Sequence, residues 1–427
     1  MRRVPGPVPQ SGVGVTVHDT APDAADAAHE RVDAGDVARV DRRRRVQARR
    51  RRAGVAYGIA VALLAASIPV LGLVGVQTIL DSSDGEVVDP VLDPSEPGYR
   101  ALIQPSPTML LIQEDAQGSM VGGAVLSLAG QEGGGGSVMI YPPNLAGEVP
   151  DIGVLPIAAA SAFSGDEAAL SAAEWTLHID IPEVVALSSE ELADFYAATG
   201  PLTIQNPDAV RLDDGTTFPA GSLELQPDEI PRYTAHLGDD ESQLNRLLRQ
   251  QLVWEAWIDQ ISDAGAVTFP GEQDSGLARF LAGIVEGTHR VENLPLDAGS
   301  TQLDEGTVVE LRLDEERWAQ LLPDLVPFPA GAAEGDRYVV RVLAGTEDDS
   351  TVRPAARRIV TAGGQISMIG NADEFGHQTT EVIYYDPAHR SDAEAVADAL
   401  GFGTVTLVDE IDDSADVIVV LGADATF

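Results

Sequence analysis

Along most of this chain apolar and polar positions interchange in short runs, and one stretch breaks the habit. Ala53 to Val76 (AGVAYGIAVALLAASIPVLGLVGV) carries no charge and no amide; Gln77 is the first amide after it and Asp81 the first charge. At about 1.5 Å of rise per residue such a run reaches across a hydrocarbon core of about 30 Å. It therefore predicts one transmembrane helix at residues 53–76, with Pro69 tolerated inside it. A cleaved signal peptide fits less well: the run exceeds the roughly 7 to 15 residues of a signal core, it begins after 52 residues, and no small-x-small site precedes Asp81. Arg42 to Arg45 and Arg49 to Arg52 lie before it, and Asp81, Asp84 and Glu86 after it. The positive side stays in the cytoplasm, which places Gln77 to Phe427 outside.

Beyond that run the pattern turns to globular periods. Residues 1–52 hold few large apolar groups and read as a disordered basic cytoplasmic tail, and 77–98 as a Pro- and acid-rich linker. Short β segments follow at Ala101–Gln104, Thr108–Gln113, Val121–Leu128 and Ser137–Tyr141, with the glycines at 133–136 as a hairpin turn. No GK[ST] follows those glycines, which argues against a phosphate loop. Ser188–Ala198 predicts a helix capped by Ser188 or Ser189, Thr203–Gln205 begins a strand, and Gly215 and Gly221 mark turns. Gln243–Gly265 gives the longest helical stripe outside the apolar run, followed by a helix at Ser275–Glu286, a strand at Thr307–Leu313 and a helix at Glu315–Leu322. Residues 323–336 read as a linker.

From Arg337 onward strands and helices alternate at short spacing. Strands are expected at Arg337–Leu343, Gln365–Ile369, Thr379–Tyr385, Thr404–Val408 and Asp416–Leu421, and helices at Thr351–Ala362 and at Ser391–Leu400, the latter capped by Ser391. This predicts a small α/β domain at 337–427 with helices packed on a sheet.

Composition narrows the chemistry. The chain has no cysteine, which removes disulfides and thiolate sites. Every basic side chain is arginine, and with abundant Ala, Gly, Val and Asp this suggests a GC-rich bacterial genome of the actinobacterial kind. Residues 1–80 hold 12 Arg and 7 acids, leaving 15 Arg against 61 acids beyond them. Such a surface repels nucleic acid. The seven histidines show no metal-ligand spacing, no Gly-x-Ser-x-Gly elbow occurs, and the carboxylates are too numerous for any pair to stand out. Trp254 and Trp257, three apart, read as core.

The last segment resembles the LytR C-terminal domain, in YVVRVLAGTEDDSTVRPAARRIVTAGGQISMIGNA, TTEVIYYDPAHRSDAEAVADALG and the closing ADVIVVLGAD. That domain often follows a LytR-CpsA-Psr (LCP) domain behind one membrane helix, and the middle of the chain is similar to that family in order. PTMLLI resembles its first core strand, SVMIYPPNLAGEVP its strand and catalytic loop, ELADFYAATGPLTIQNP its helix and turn, and LNRLLRQQLVWEAWIDQI its long helix with the Arg-x-x-Arg-Gln-Gln signature. The resemblance implies an α/β fold made of one N-terminal transmembrane helix, a mixed-sheet LCP-like domain at 99–322 and a C-terminal α/β domain. It also implies transfer of a lipid-linked, pyrophosphate-bearing glycopolymer onto peptidoglycan.

The residues for that transfer are largely missing. A diphosphate leaving group needs arginines for charge-assisted hydrogen bonds and an acid on the metal side. Pro107 stands where the family has an acid, Pro142, Pro143 and Asn144 where its loop reads Pro-Arg-Asp, and Ala235 and Leu237 where two arginines follow the tyrosine matched by Tyr233. Arg246, Arg249 and Gln250 remain as candidate phosphate or lipid-head ligands. Arg246 and Arg249 share a helix face and can equally pair with Asp239, Asp240 or Glu241. The expectation is a degenerate, non-catalytic LCP-like module of the cell envelope in wall assembly, without cofactor or metal, facing glycopolymer, polyprenyl lipid or envelope proteins. An active transferase using Mg²⁺ is the alternative, and an anchor that binds no glycan a third. An open apolar pocket beside Arg246 and Arg249 would mark a retained polyprenyl ligand.

Overall fold

The computed structural model describes residues 91–427, apart from 131–133, 150–152, 240, 304–305, 334 and 410–413. The transmembrane helix expected at 53–76 lies outside the described residues. Among the described residues no helix is long and apolar enough to cross a membrane. The fold class is corrected accordingly: what the described residues show is a mixed α/β fold without such a helix.

The strands in chain order are β1 (Arg100–Leu102), β2 (Thr108–Glu114), β3 (Met120–Leu128), β4 (Gly136–Tyr141), β5 (Ala146–Val149), β6 (Gly153–Pro156), β7 (Glu183–Ser188), β8 (Leu202–Asn206), β9 (Val210–Arg211), β10 (Thr217–Phe218), β11 (Gly221–Leu225), β12 (His289–Asn293), β13 (Leu296–Leu303), β14 (Gly306–Leu313), β15 (Tyr338–Ala344), β16 (Gly364–Asn371), β17 (Glu381–Tyr384), β18 (Thr404–Leu407) and β19 (Val417–Leu421). A five-stranded sheet runs β12-β4-β3-β2-β7, antiparallel across β4-β3-β2 and parallel at both edges. Its strands are apolar on both faces because both faces are covered. Leu110, Ile112, Val125 and Met139 point into one cluster with the helices Ile157–Ser164 and Asp166–Leu177. Met109, Leu111, Leu126, Val138 and Ile140 point into another with Ser189–Ala197, Gln243–Ala264 and Gly276–Val285. The period of two in the strands thus builds a three-layer sandwich.

The expected cap at Ser188 is present. Its hydroxyl accepts from the Glu191 amide, and the Glu191 carboxylate accepts from the Ser188 amide in return. Ser391, by contrast, lies inside the helix Arg390–Leu400, whose first turn is preceded by a 3-10 turn at Pro387–His389 held by the Asp386 carboxylate on the Ala388 amide. The helix at Glu315 runs on to Leu325 through Pro323, where a linker is expected, because Leu322, Pro323 and Leu325 are all buried.

A second, six-stranded sheet runs β1-β16-β15-β19-β17-β18. Its helices Val352–Thr361 and Arg390–Leu400 cover one face, with Val340, Val342, Val382, Val417, Val419, Ile359 and Val396 between the layers. The other face keeps a small cluster of Leu343, Ala372, Ala415, Ile418 and Val420. One pairing is unexpected: β1, which overlaps the β segment expected at Ala101–Gln104, precedes the first sheet in sequence yet pairs antiparallel with β16 of the second. The two sheets belong to one compact unit, Pro90–Phe427, and side chains of both share one buried cluster. Polar contacts join them: the Ser106 amide donates to the Phe328 carbonyl at 2.8 Å, the Asp180 amide to the Ala330 carbonyl at 2.9 Å, and Asp324 pairs with both Arg290 and Arg357.

Candidate functional site

Arg246, Arg249 and Gln250 lie on the long helix Gln243–Ala264, whose cap is the Ser242 hydroxyl on the Asn245 amide. Spacings of three and four place them on one face. That face looks at the end of a short helix, Ile230–Ala235. Its last carbonyls and the one after them have no partner within the helix. The three side chains supply the missing donors in order. Gln250 Nε2 donates to the Thr234 carbonyl at 3.2 Å, Arg246 Nη1 to the Ala235 carbonyl at 3.1 Å, and Arg249 Nη2 to the His236 carbonyl. Two cations at a helix C-terminus also match the sign of its dipole.

The remaining guanidinium groups are mostly engaged. Arg246 Nη2 donates to Gln243 Oε1 at 2.6 Å, and Arg249 Nη1 pairs with the carboxylate of Glu241, one of the three acids named from the sequence. The Arg249 guanidinium also lies 5.6 Å from the centre of the Tyr233 ring. All three side chains are buried, with 5%, 3% and 4% of their surface exposed for Arg246, Arg249 and Gln250. Burial pushes Arg246 down to about 10 and lowers Arg249 as well, while Tyr233 is pushed up to about 12 by burial against the opposing pull of Arg249. Both arginines remain charged at neutral pH. Among the described residues, Arg246 Nε, Arg249 Nε and Gln250 Oε1 have no hydrogen-bond partner.

The space between helix and sheet is filled. Trp257 is fully buried, 4.3 Å from Tyr196 and 5.2 Å from Trp254 by ring centres, with Phe269 edge-on. Beside Gln113, Thr234, Gln250 and Trp254 lies a cavity of about 20 Å³, a size that suits one water molecule and no lipid chain. This cavity is therefore not the open apolar pocket that would mark a polyprenyl ligand. On the outer side of Arg249 a half-open groove of about 580 Å³ is bordered by Asp208, Arg211, His236, Glu241 and Leu248.

The loop positions are equally committed. The Pro142 carbonyl accepts from the Leu145 amide and the Pro143 carbonyl from the Ala158 amide, so the loop supports the start of the helix at Ile157. Pro107 contributes its carbonyl to the Leu128 amide. The Tyr233 hydroxyl donates to Asn206 Oδ1 at 2.8 Å inside the protein. Asn206 was not singled out by sequence; its only signal is its place at the end of a strand beside a predicted loop. Among the described residues no group of three or more His, Asp or Glu could hold a metal ion.

Residues 337–424 match the family model described as LytR cell envelope-related transcriptional attenuator. The chain carries a LytR C-terminal domain. Its matched residues hold β15 to β19 and their helices, but not β1, so the sixth strand of the LytR C-terminal sheet comes from outside the family's own span. Among solved structures, the chain is similar to an Enterococcus faecalis transcriptional regulator (18% identity, TM-score 0.42, 52% of this chain and 87% of that one). It is also similar to TagV of B. subtilis (17%, 0.43, 52% and 97%) and to TagT bound to LIIa-WTA (18%, 0.42, 56% and 93%). The family match thus lies in residues 337–424, which are similar to the LytR C-terminal domain. A search of curated proteins finds no match.

Proposed function

We propose that this is a non-catalytic LCP-like module of the cell envelope, acting outside the cytoplasm as a binding or scaffolding part of wall assembly. One observation carries the reading. The three candidate ligands that survive from the family pattern, Arg246, Arg249 and Gln250, donate to three successive carbonyls at 234–236 and to Glu241. A phosphate clamp needs guanidinium N–H groups aimed at the substrate. Here those groups close the end of a helix instead. The filled interior favours the same reading, because Trp254, Trp257 and Tyr196 occupy the volume a lipid chain would need.

Recognition is assigned to the outer groove, with Asp208, Arg211, His236 and Glu241 on its border and Pro207, Ala209, Val210 and Leu248 as its apolar part. A lining that mixes charged and apolar side chains suits the sugar units of an envelope glycopolymer, whose hydroxyls and ring faces need both. Retention of the full chain on isolated, protein-free cell wall tests this. Binding that weakens by about tenfold, roughly 1.4 kcal/mol, on Arg211→Glu supports the proposal. Absence of retention at moderate salt for the unaltered chain would leave only an anchoring role and overturn it.

A further inference from the structure

The strand that completes the six-stranded sheet is held in an unusual way. β1 makes three ladder pairs with β16: Arg100 with Gly370, Ala101 with Ile369 and Leu102 with Met368. Arg100 and Leu102 are exposed, Leu102 by 78%, so the strand contributes little apolar burial. The contacts are mainly with backbone. Asn371, itself 5% exposed, uses its side-chain amide to donate to the Pro94 carbonyl at 2.8 Å and the Glu96 carbonyl at 2.7 Å. The Gly98 amide donates to Ala372, the Asn371 amide to Tyr99, and the Ile103 amide to Ser367. Arg100 pairs with Asp373 at 2.8 Å on the surface.

Both sides of this contact are shaped for it. At Gly370 an added Cβ would lie 2.2 Å from the Tyr99 carbonyl oxygen, and the next nearest atoms also belong to Tyr99 and Arg100. The bare backbone there serves the incoming strand. On the other side, Asp93 to Tyr99 folds on itself. The Glu96 amide donates to the Asp93 carbonyl and the Tyr99 amide to the Glu96 carbonyl, with Pro94 and Pro97 at the second positions and Gly98 at φ +80°. Pro-Gly at the centre of the second turn matches a type II turn. The segment therefore carries much of its docked shape in its own sequence, which lowers the ordering cost of binding.

We propose that the β16 edge, with Asn371 and Asp373, is a docking site for an extended peptide, occupied in this chain by its own residues 94–103. Main-chain hydrogen bonds give such a site its hold, and Asn371, Gly370 and Asp373 give it a preference for a Pro-Gly turn followed by arginine. The probe is a fluorescent synthetic peptide of the sequence Asp93–Gln104, titrated by anisotropy against the full chain. Ala101→Pro removes a ladder donor from the resident strand and leaves the edge intact. It is expected to bind the peptide at least about tenfold more tightly than the unaltered chain, whose edge is filled. Gly370→Val displaces the resident strand and blocks the edge together, and is expected to bind no peptide. Equal affinity in the two variants would overturn the proposal. Should either variant misfold, hydrogen exchange on the unaltered chain decides: Ile103 and Asn371 amides exchanging at least about tenfold faster than those of β15 support a strand that detaches, and equal protection contradicts it.

Discussion

The two sheets of this protein differ in what covers them. The five-stranded sheet has helices on both faces, whereas the six-stranded sheet of the LytR C-terminal domain has helices on one face and a small cluster on the other. In the first arrangement side chains pack both faces, and the cavity beside Gln250 is about 20 Å³. The second leaves an edge that a three-residue strand from elsewhere in the chain can complete. The groove beside Arg249 is the site proposed for the first, and the β16 edge the site proposed for the second.

The contrast can be broken most severely at Trp257, which is fully buried under the double-covered sheet and donates its indole N–H to the Thr199 hydroxyl at 3.2 Å. Trp257→Ala is expected to cost about 3–5 kcal/mol, read from denaturant unfolding. A loss under about 1 kcal/mol would show that the interior is loosely filled, against the account of a collapsed site.

A finer comparison lies within one strand of the other sheet. Val382 faces the helices and is fully buried, while its neighbour Ile383 faces the thin cluster and is half-buried. Val382→Ala is expected to cost about 2 kcal/mol and Ile383→Ala about 1 kcal/mol, although isoleucine loses more atoms. The reverse order would mean that the second face is covered as well as the first.

The smallest effect concerns pH. His389 receives Asp392 at 2.9 Å on one ring nitrogen and Asp416 at 3.2 Å on the other, with Asp386 nearby, and its pKa is raised by the Asp392 hydrogen bond first and by these carboxylates. A raised folded-state pKa means that the contribution is fully present below the unfolded value near 6.5 and fades as pH rises through the folded value. Unfolding measured across that window should show stability falling with rising pH, and His389→Gln should flatten the slope. An unchanged slope would remove His389 from the account.

How much of this was legible beforehand follows from what each signal depends on. The C-terminal strands were readable because runs such as DVIVVL are apolar on both sides and short, and the Ser188 cap because its partner Glu191 stands three residues away. The helices Ile157–Ser164 and Asp166–Leu177 were not read: alanine dominates both, so no apolar stripe stands out. β13 (LDAGSTQL) was also missed, since it is specified by its partner β14 more than by its own composition. At the candidate site, the shared face of Arg246 and Arg249 and an acid partner were foreseeable from spacing. Their use of the carbonyls at 234–236 was not, because it depends on where a separate short helix ends in space. The pairing of β1 with β16 bridges more than 260 positions of sequence, and no local pattern could announce it.

The central claim is that Arg246 and Arg249 are structural. The most direct measurement is turnover of a lipid-linked pyrophosphate glycopolymer by the full chain, with and without Mg²⁺, alongside Arg246→Ala. The account predicts no product in any of these, together with a measurable loss of thermal stability in the variant. Metal-dependent product that disappears with Arg246→Ala would contradict it.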